Sequence, residues 1–307
     1  YRPQSFDEVI GQDVMVQIIK NAIKMDRIPN AYLLTGIRGV GKTTTARIIA
    51  KAINCKNSES PEKKCEGFCH CEAITNSNHI DVLEMDAASK TGIDDIRELI
   101  DSAKYYPTSA KYKVFIIDEV HMLSKQAFNG LLKTLEEPPP HLKFILATTE
   151  VKKIPLTIIS RCQRFDLRRI KLEEMISFLK KISEKEKAKI NEKALMLIAK
   201  ASEGSVRDAL SILDQAISTF NILGEEIIET SVRTMLGIAD RSRIIDLVRF
   251  VIDGDKAKAL ADAQEIFDLG MKNQYNKDLI VHQMEIIKRD HTYLNRCKGI
   301  LQIVENI

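Results

Sequence analysis

The sequence lacks several features that would assign it at once to a broad functional class. It has no tryptophan and only 6% aromatic residues, so no platform for stacking nucleic-acid bases is evident. No apolar run approaches the ~20 residues that a membrane-spanning helix needs, and no signal peptide is visible. The 46 basic and 43 acidic residues leave a net charge of only +3, which excludes a surface coated in positive charge. Any nucleic acid must therefore bind a local basic patch.

The chain of 307 residues divides into a part that alternates strands with helices and a part that is helical. Apolar, β-branched runs predict buried strands of a parallel sheet covered on both faces, at 31–35, 80–85, 113–118 and 143–149, with 163–168 as a fifth candidate. Helical periodicity falls between them at 12–27, 42–54, 93–104 and 124–137.

After about residue 170, apolar residues recur at the three- and four-residue spacing of amphipathic helices. Gly204, Gly224 and Gly237 suit helix ends. The predicted domains are therefore 1–170, 171–237 and 238–307. The chain starts at Tyr1 without a methionine, so we expect its natural start to lie upstream.

A phosphate-binding loop is the strongest local motif. GIRGVGKT at 36–43 matches the pattern G-x-x-x-x-G-K-[ST] between a predicted strand and a predicted helix. Chance gives this pattern in about one chain in a hundred, and the flanking elements lower that rate. Lys42 is expected to reach the β- and γ-phosphates, and Thr43 to place its hydroxyl on Mg²⁺. The predicted nucleotide-binding residues are Gly36, Ile37, Arg38, Gly39, Val40, Gly41, Lys42, Thr43 and Thr44.

Four further side chains are candidates for the chemistry at that loop. Asp118 and Glu119 end a predicted strand, where Asp118 would hold Mg²⁺ through water and Glu119 would activate the attacking water. An acidic pair after a strand is otherwise usually a helix cap. Thr149 ends the next strand and would contact the γ-phosphate or the water, although threonine is common at strand ends. Arg207 starts a helix, where it opposes the helix dipole; a nearby phosphate explains that placement, and a solvated arginine is the alternative.

Four of the six cysteines lie within residues 55–71. In a chain without a visible signal peptide, this bunching is more typical of metal binding than of disulfides. Four thiolates close a tetrahedral zinc site, which would replace the core that this polar loop lacks. The predicted zinc ligands are Cys55, Cys65, Cys69 and Cys71. Their spacing is not the usual pair of C-x2-C knuckles, so His70 in place of a neighbour, or surface thiols, are the alternatives. Cys162 and Cys297 are expected to be packing residues.

Taken in order, these segments resemble the ATPase core of the bacterial DNA polymerase III gamma/tau family, the AAA+ motors of the sliding-clamp loader. Each motif alone occurs in other AAA+ proteins. The cysteine insertion combined with SRC makes the resemblance specific to this family. The likeness is dense over residues 1–237 and includes YRPQSFDEVIGQ at 1–12, DEVHMLSKQAFNGLLKTLEEPPP at 118–140, LATT at 146–149, ISRC at 159–162 and GSVRDALSILDQA at 204–216.

The resemblance implies a fold and several residue roles. The fold would be an α/β P-loop AAA+ sheet domain, followed by a small helical lid domain and an all-α collar for oligomerisation. Val9 and Ile10 would line the adenine pocket with Arg2 nearby, and Thr149 and Arg207 would be the first and second nucleotide sensors. Arg161 would be an arginine finger that reaches the ATP of the adjacent subunit; a solvated or structural charge is the alternative.

The resemblance also implies partners. These are the other loader subunits of a hetero-pentamer, the sliding clamp and primed double-stranded DNA, in the bacterial cytoplasm at the nucleoid and with no membrane. The positions that match DNA contacts are Lys90, Arg97 and Lys133, although a solvated helix face is the commoner state for each alone. Two departures stand out: Cys69 is displaced from the family's spacing, and the segment after residue 237 is short, which implies a truncated collar or missing loops.

The function expected from the resemblance is ATP-driven opening and loading of the clamp, by an ATPase without a nucleotidyl-transfer site of its own. An AAA+ DNA translocase of the branch-migration type is the alternative within the class of motors. A non-catalytic scaffold subunit of the same loader is the alternative from the class of binding proteins, and intact Lys42, Thr43 and Asp118 speak against it. The small subunits of archaeal and eukaryotic clamp loaders are a further candidate, but the cysteine insertion favours the bacterial type.

Overall fold

The computed structural model describes residues 1–55, 70–89, 92–220 and 226–237, with five single positions between 247 and 261. Strands β1 to β5 are Ala31–Thr35, Val82–Asp86, Lys113–Asp118, Leu142–Thr148 and Gln163–Asp166. Helices α1 to α10 are Asp13–Lys24, Lys42–Asn54, Cys71–Thr75, Ile93–Ala103, Lys125–Glu136, Leu156–Ile159, Leu172–Lys185, Glu192–Ala201, Val206–Phe220 and Glu229–Met235. Short 3₁₀ turns lie at Phe6–Glu8, Val120–Met122 and Val151–Lys153.

The chain forms two compact units, which are described separately. The first comprises residues 1–175 together with 204–208, and the second comprises 176–203 and the chain from 209 onwards. Residues 204–208, which include Arg207, therefore belong with the strand-containing unit.

The first unit contains a five-stranded sheet in the order β2-β3-β4-β1-β5, and every pairing is parallel. This confirms the predicted parallel sheet, including its fifth strand. Because the strands are parallel, their carboxyl ends meet at one edge: Thr35 pairs with Thr148, and Asp86 pairs with Asp118. The phosphate-binding loop follows β1, so the loop and the ends of β3 and β4 share this edge, where open α/β sheets bind ligands.

Both faces of the sheet are covered, as the near-continuous apolar strands predicted. Alternate residues of β1 point to opposite faces: Tyr32 and Leu34 join the cluster built with α1 and α2, whereas Ala31 and Leu33 join the cluster built with α4 and α5. The inner strands β1, β3 and β4 are buried almost throughout, so the loop that follows β1 extends from the packed centre of the sheet.

The prediction that all strands are buried was wrong for both edge strands: only Phe165 is buried among the four residues of β5, and much of β2 is exposed as well. Only two of the five residues of β2, Val82 and Met85, are buried, and Leu83 is 38% exposed. β2 pairs with another strand on one side only. Some of its side chains therefore pack against the core, and others lie at an open edge. The strand also begins at Val82 and not at residue 80, because Asp81 is used to hold a loop.

The described residues of the second unit are helical, as expected. Asn191 caps α8 by accepting a hydrogen bond from the Lys193 N–H at 2.9 Å, and a parallel bridge joins Ile190 to Ile227 next to α10. Gly237 has a φ of +62°, the left-handed conformation that commonly ends a helix. The predicted stop at Gly224 and nearly all of the predicted collar, 238–307, lie outside the described residues. In the described part of the chain, none of the helices has the length and apolarity to cross a bilayer.

Candidate nucleotide-binding site

The phosphate-binding loop bends back on itself between β1 and α2. Gly36, Gly39 and Gly41 have φ values of +148°, +78° and +103°, which other residues rarely adopt. α2 begins at Lys42, and the first N–H groups of a helix have no partner inside the helix. The loop therefore has the backbone of an anion cradle.

Lys42 is held inside this loop. Its Nζ donates to the carbonyl oxygens of Gly36 and Ile37, each at 3.0 Å, and the residue is 6% exposed. Burial lowers the pKa of Lys42, while the nearby carboxylates of Glu119 and Asp118 act in the opposite direction. The ammonium group thus lies within electrostatic reach of both acidic residues at the end of β3.

Thr43 and Asp118 bring two hard oxygen groups together. The Thr43 hydroxyl donates to Asp118 Oδ2, and Asp118 Oδ1 accepts the Glu119 N–H at 2.9 Å. A hydroxyl and a carboxylate in contact suit Mg²⁺, which is usually bound by few protein oxygens and by the phosphates of its substrate. This pairing is the one expected for the predicted magnesium ligands.

Glu119 and Thr149 meet across β3 and β4. Glu119 Oε2 accepts the Thr149 N–H at 3.2 Å and its hydroxyl at 3.0 Å. Glu119 itself has a φ of +45°, the left-handed region that is uncommon outside glycine, so its backbone is locally strained. The structure therefore brings together the two residues that the sequence placed on successive strand ends.

His121 was not selected by the sequence analysis, although it stands two residues after Glu119. Its ring is 6% exposed and lies beside two carboxylates: Nδ1 is 3.4 Å from Glu119 Oε2, and Nε2 is 3.5 Å from Glu150 Oε1. Nδ1 is also 3.0 Å from the hydroxyl of Thr148, which is fully buried. The only local signal was a histidine two residues after an acidic pair, and the contacts with Thr148 and Glu150 come from the neighbouring strand and the residues that follow it.

Arg207 lies at the phosphate-binding loop. Its N–H donates to the Gly39 carbonyl at 3.2 Å, and its guanidinium is one of the charges that lower the pKa of Lys42, after burial. A Cβ on Gly39 would lie only 2.1 Å from Ser205 Oγ, so this close approach requires glycine. Both facts agree with the expectation that Arg207 faces phosphate.

The segment proposed for the adenine pocket joins the same region. Val9 is partly buried against the cluster that also holds Ile37 and Val40 of the loop, and Ile10 is half-buried. Gln12 exchanges two hydrogen bonds with the backbone of Arg168, at 2.9 and 3.2 Å, which fixes the segment. Arg2 is exposed.

Arg161 lies away from the loop of its own chain. It precedes β5 by two residues, and the first residue of β5, Gln163, pairs with Tyr32. Gly36 lies farther along the chain than Tyr32 by roughly 13 Å, at ~3.3 Å per strand residue. Arg161 is therefore near the amino ends of the strands, whereas the loop is at their carboxyl ends. The guanidinium donates to the Thr157 carbonyl at 2.7 Å and to Glu136 Oε1 at 2.6 Å, and the side chain is 33% exposed.

The candidate DNA contacts are only partly described. Arg97 is exposed on α4 and pairs with Asp94 at 2.9 Å, and Lys133 is exposed on α5. Lys90 lies outside the described residues. The first turn of α4 carries Asp94 and Asp95, whose negative charges oppose the expected binding of phosphate by its N–H groups.

The cysteine cluster is represented by its two ends. Cys55 directly follows α2 and Cys71 opens α3, whereas Cys65 and Cys69 lie outside the described residues. Within 1–55, 70–89, 92–220 and 226–237, no three His, Cys, Asp or Glu side chains form a group that could hold a metal. Burial raises the pKa of Cys162 to about 12, so this thiol stays protonated, in agreement with a packing role.

His70 lies against His79. The Asp81 N–H donates to His79 Nδ1 at 3.0 Å, and His79 Nε2 lies 2.8 Å from His70 Nδ1. His70 Nε2 is buried with no hydrogen-bond partner among the described residues. The alternative that His70 is a zinc ligand stays a prediction.

Comparison with protein families matches three consecutive segments of the chain. A family model described as DNA polymerase III, delta subunit, matches residues 11–171. A DNA polymerase III clamp loader subunit ATPase lid domain matches residues 175–229, and DNA polymerase III subunits gamma and tau domain III matches residues 227–289.

Curated relatives are gamma and tau subunits of DNA polymerase III. DNA polymerase III subunit gamma of Buchnera aphidicola subsp. Baizongia pistaciae is 43% identical over 94% of this chain and 78% of the relative. DNA polymerase III subunit tau of Bacillus subtilis is 41% identical over the whole chain, which spans 53% of that relative. For subunit tau of Escherichia coli the identity is 41%, over 89% of this chain and 42% of the relative. The chain thus spans about half the length of the tau relatives.

Solved structures with this fold include the Thermotoga maritima RuvB Holliday junction branch migration motor. It aligns with a TM-score of 0.58 at 21% identity, over 81% of this chain and 79% of that one. At this identity the likeness shows a shared fold alone. The family matches and the long, well-covered relatives decide the assignment: the chain belongs to the DNA polymerase III gamma/tau family of clamp-loader subunits.

Proposed function

We propose that the chain is an ATP-hydrolysing motor subunit of a replicative clamp loader, which opens the sliding clamp and loads it onto primed DNA. The observation that carries this proposal is the meeting of four groups at one edge of the sheet: the Lys42 loop, the Thr43–Asp118 contact, Glu119 and Thr149. The set supplies phosphate binding, oxygen ligands for Mg²⁺ and a base beside the γ-phosphate position. The chain itself would carry no site for nucleotidyl transfer.

The mechanism follows from what these residues hold before substrate arrives. The Lys42 ammonium exchanges its two carbonyl partners for the β- and γ-phosphate oxygens of ATP, and the loop N–H groups surround the same oxygens. Mg²⁺ would offset the phosphate charge, held by Thr43 and, through water, by Asp118. Glu119 accepts a hydrogen bond from the attacking water and orients it, while Thr149 and Arg207 donate to the γ-phosphate. Val9, Ile10 and Arg2 would enclose the adenine.

Arg161 is proposed to act on the ATP of an adjacent subunit. Its position at the edge of the sheet opposite the loop supports action in trans, because its side chain does not reach its own phosphate site. The pairing with Glu136 lies at the surface, where both side chains are partly exposed. Such a pair stabilises the folded chain by only ~0–1 kcal/mol, so Arg161 can exchange Glu136 for a phosphate with little loss of free energy.

The proposed partners are those of the family: other loader subunits in a hetero-pentamer, the sliding clamp and primed double-stranded DNA, in the cytoplasm at the nucleoid. Lys90, Arg97 and Lys133 are the proposed DNA contacts, through the phosphate backbone and therefore weakened by salt. The proposed domain limits remain 1–170, 171–237 and 238–307; the lid and domain III matches begin at residues 175 and 227.

ATP hydrolysis by the full-length protein assembled with its partner subunits tests this function. Clamp and primed DNA together should raise the rate, and Lys42→Ala should abolish ATP binding. Arg161→Ala should keep ATP binding and lose the stimulated turnover. Hydrolysis that ignores the clamp but drives movement along DNA would instead indicate a translocase, and a complex that never hydrolyses ATP would indicate a scaffold.

We also propose a structural zinc held by Cys55, Cys65, Cys69 and Cys71. The density of cysteines at the junction of α2 and α3 supports it, and thiolates are the ligands that structural zinc prefers. When bound, the metal would crosslink the insertion. Zinc analysis of the purified protein should find about one ion per chain, lost in Cys71→Ser and kept in the matched control Cys162→Ala. Absence of zinc from the wild-type protein, or its retention in Cys71→Ser, would contradict the proposal.

A further inference from the structure

His121 has no role in the mechanism above, although its ring is nearly inaccessible and lies directly beside the proposed base. The ring occupies the space between Glu119 and Glu150, with Nδ1 3.4 Å from one carboxylate and Nε2 3.5 Å from the other. The buried hydroxyl of Thr148 anchors Nδ1 at 3.0 Å, and the same hydroxyl accepts the Glu150 N–H at 3.0 Å. The imidazole is therefore fixed by β4 and cannot turn freely.

We propose that His121 is a positioning residue for Glu119 in ATP hydrolysis: it fixes the Glu119 carboxylate against the end of β4 and separates it from Glu150. Two carboxylates that faced each other without the ring would repel. The Glu119 carboxylate would then leave the place from which it orients water. This inference rests on the proposed ATPase function.

We expect His121 to matter most when ATP is bound, because the Thr149 hydroxyl then changes its hydrogen-bond partner. Thr149 has one hydroxyl hydrogen, which is donated to Glu119 Oε2 in this structure. If that hydrogen turns to the γ-phosphate, as the mechanism requires, Glu119 loses one of its two hydrogen bonds from Thr149 and keeps only the one from the N–H at 3.2 Å. His121 Nδ1, 3.4 Å from Glu119 Oε2, is then the side-chain nitrogen that faces this carboxylate oxygen.

Three substitutions of His121 distinguish the contacts made by Nδ1 from those made by Nε2. Asparagine places an amide where Nδ1 lies and keeps a polar link to Thr148 and Glu119. Glutamine reaches towards the position of Nε2 and keeps only the link to Glu150. Phenylalanine fills the same volume without hydrogen bonds. Because a misplaced catalytic group costs about a hundredfold per ångström, we expect His121→Phe and His121→Gln to lower kcat by about ten- to a hundredfold, and His121→Asn to stay within about threefold of wild type.

The measurement is steady-state ATP hydrolysis by the full assembled complex, with KM, equilibrium ATP binding and the thermal unfolding temperature recorded for each variant. We expect kcat to fall while KM, ATP binding and unfolding temperature stay unchanged. A second arm combines His121→Phe with Glu119→Gln: a residue that acts through Glu119 adds no further loss in this background.

Hydrolysis of ATP by the wild-type complex establishes the ATPase activity on which this inference rests, independently of His121. Given that activity, an unchanged kcat in His121→Phe would overturn the inference. So would a loss shared equally by phenylalanine and asparagine together with a lower unfolding temperature, which indicates a structural role. A full additive loss in the double variant would show that His121 acts by a route other than Glu119.

Discussion

At the scale of single residues, the site is a set of donors already committed to partners inside the chain. Lys42 is occupied by two loop carbonyls, and the Thr149 hydroxyl is occupied by Glu119. In the proposed mechanism, both donors change partner when phosphate binds. Because Thr149 has a single hydroxyl hydrogen, binding of the γ-phosphate by Thr149 and restraint of Glu119 by that same hydrogen exclude each other.

Replacement of Thr149 by valine tests this exclusion. Valine keeps the backbone N–H that lies 3.2 Å from Glu119 but removes the hydroxyl contact at 3.0 Å. We expect ATP binding to change little and the single-turnover hydrolysis rate to fall by about ten- to a hundredfold, since one oriented donor is lost beside the reacting phosphate. Thr149→Ser, which retains the hydroxyl, is the control. A valine variant that hydrolyses ATP at the wild-type rate would remove Thr149 from the mechanism.

At the scale of elements, the sequence predicted the central strands well and several contacts between strands poorly. β1 and β3 were placed to the residue, because both are central and apolar along their length. The loop and Asp118 were found because each is encoded by a few consecutive residues. The contacts of His121 with Thr148 and Glu150 join separate strands, and no local pattern encodes them. The late start of β2 was missed for the same reason, since Asp81 accepts the N–H groups of Thr108, Ser109 and Ala110.

The connection between α3 and β2 predicts a dependence of stability on pH. Burial lowers the pKa of His79 below its usual 6.5, and the nearby His70 acts in the same direction. The unfolded chain therefore takes up a proton at a higher pH than the folded one. The stability that neutral His79 contributes is fully present above pH 6.5 and is lost as the pH falls through the lower, folded-state pKa.

Urea unfolding at pH 7.5 and pH 5.5 measures this effect. In His79→Asn the amide oxygen still accepts the Asp81 N–H, but the ionisation is removed, so the variant should lose less free energy of unfolding between the two pH values than the wild type. An equal loss in both proteins would show that His79 is not the group responsible. At any one pH, the difference in free energy of unfolding between the wild type and the variant measures a separate effect, which is the loss of the contact between His79 and His70.

At the scale of the whole molecule, the family assignment is confirmed by consecutive family matches and by relatives at about 40% identity. The predicted AAA+ sheet domain followed by helical segments is confirmed as well. In the proposed mechanism, one chain does not supply all of the positive charge around the bound nucleotide. Lys42 and Arg207 approach the loop from within the chain, whereas Arg161 lies at the far edge of the sheet, paired with Glu136. The central claim is that a second subunit supplies this guanidinium.

Mixed complexes test that claim most directly. Complexes in which every copy of the chain carries Arg161→Ala, or every copy carries Glu119→Gln, should both lack stimulated ATP hydrolysis. When the two variants are assembled together, an Arg161→Ala copy retains an intact Glu119 and can receive the intact arginine of a Glu119→Gln neighbour. We predict that stimulated hydrolysis returns in the mixture. Mixtures as inactive as their parents would show that Arg161 serves the pocket of its own chain, and would contradict the account.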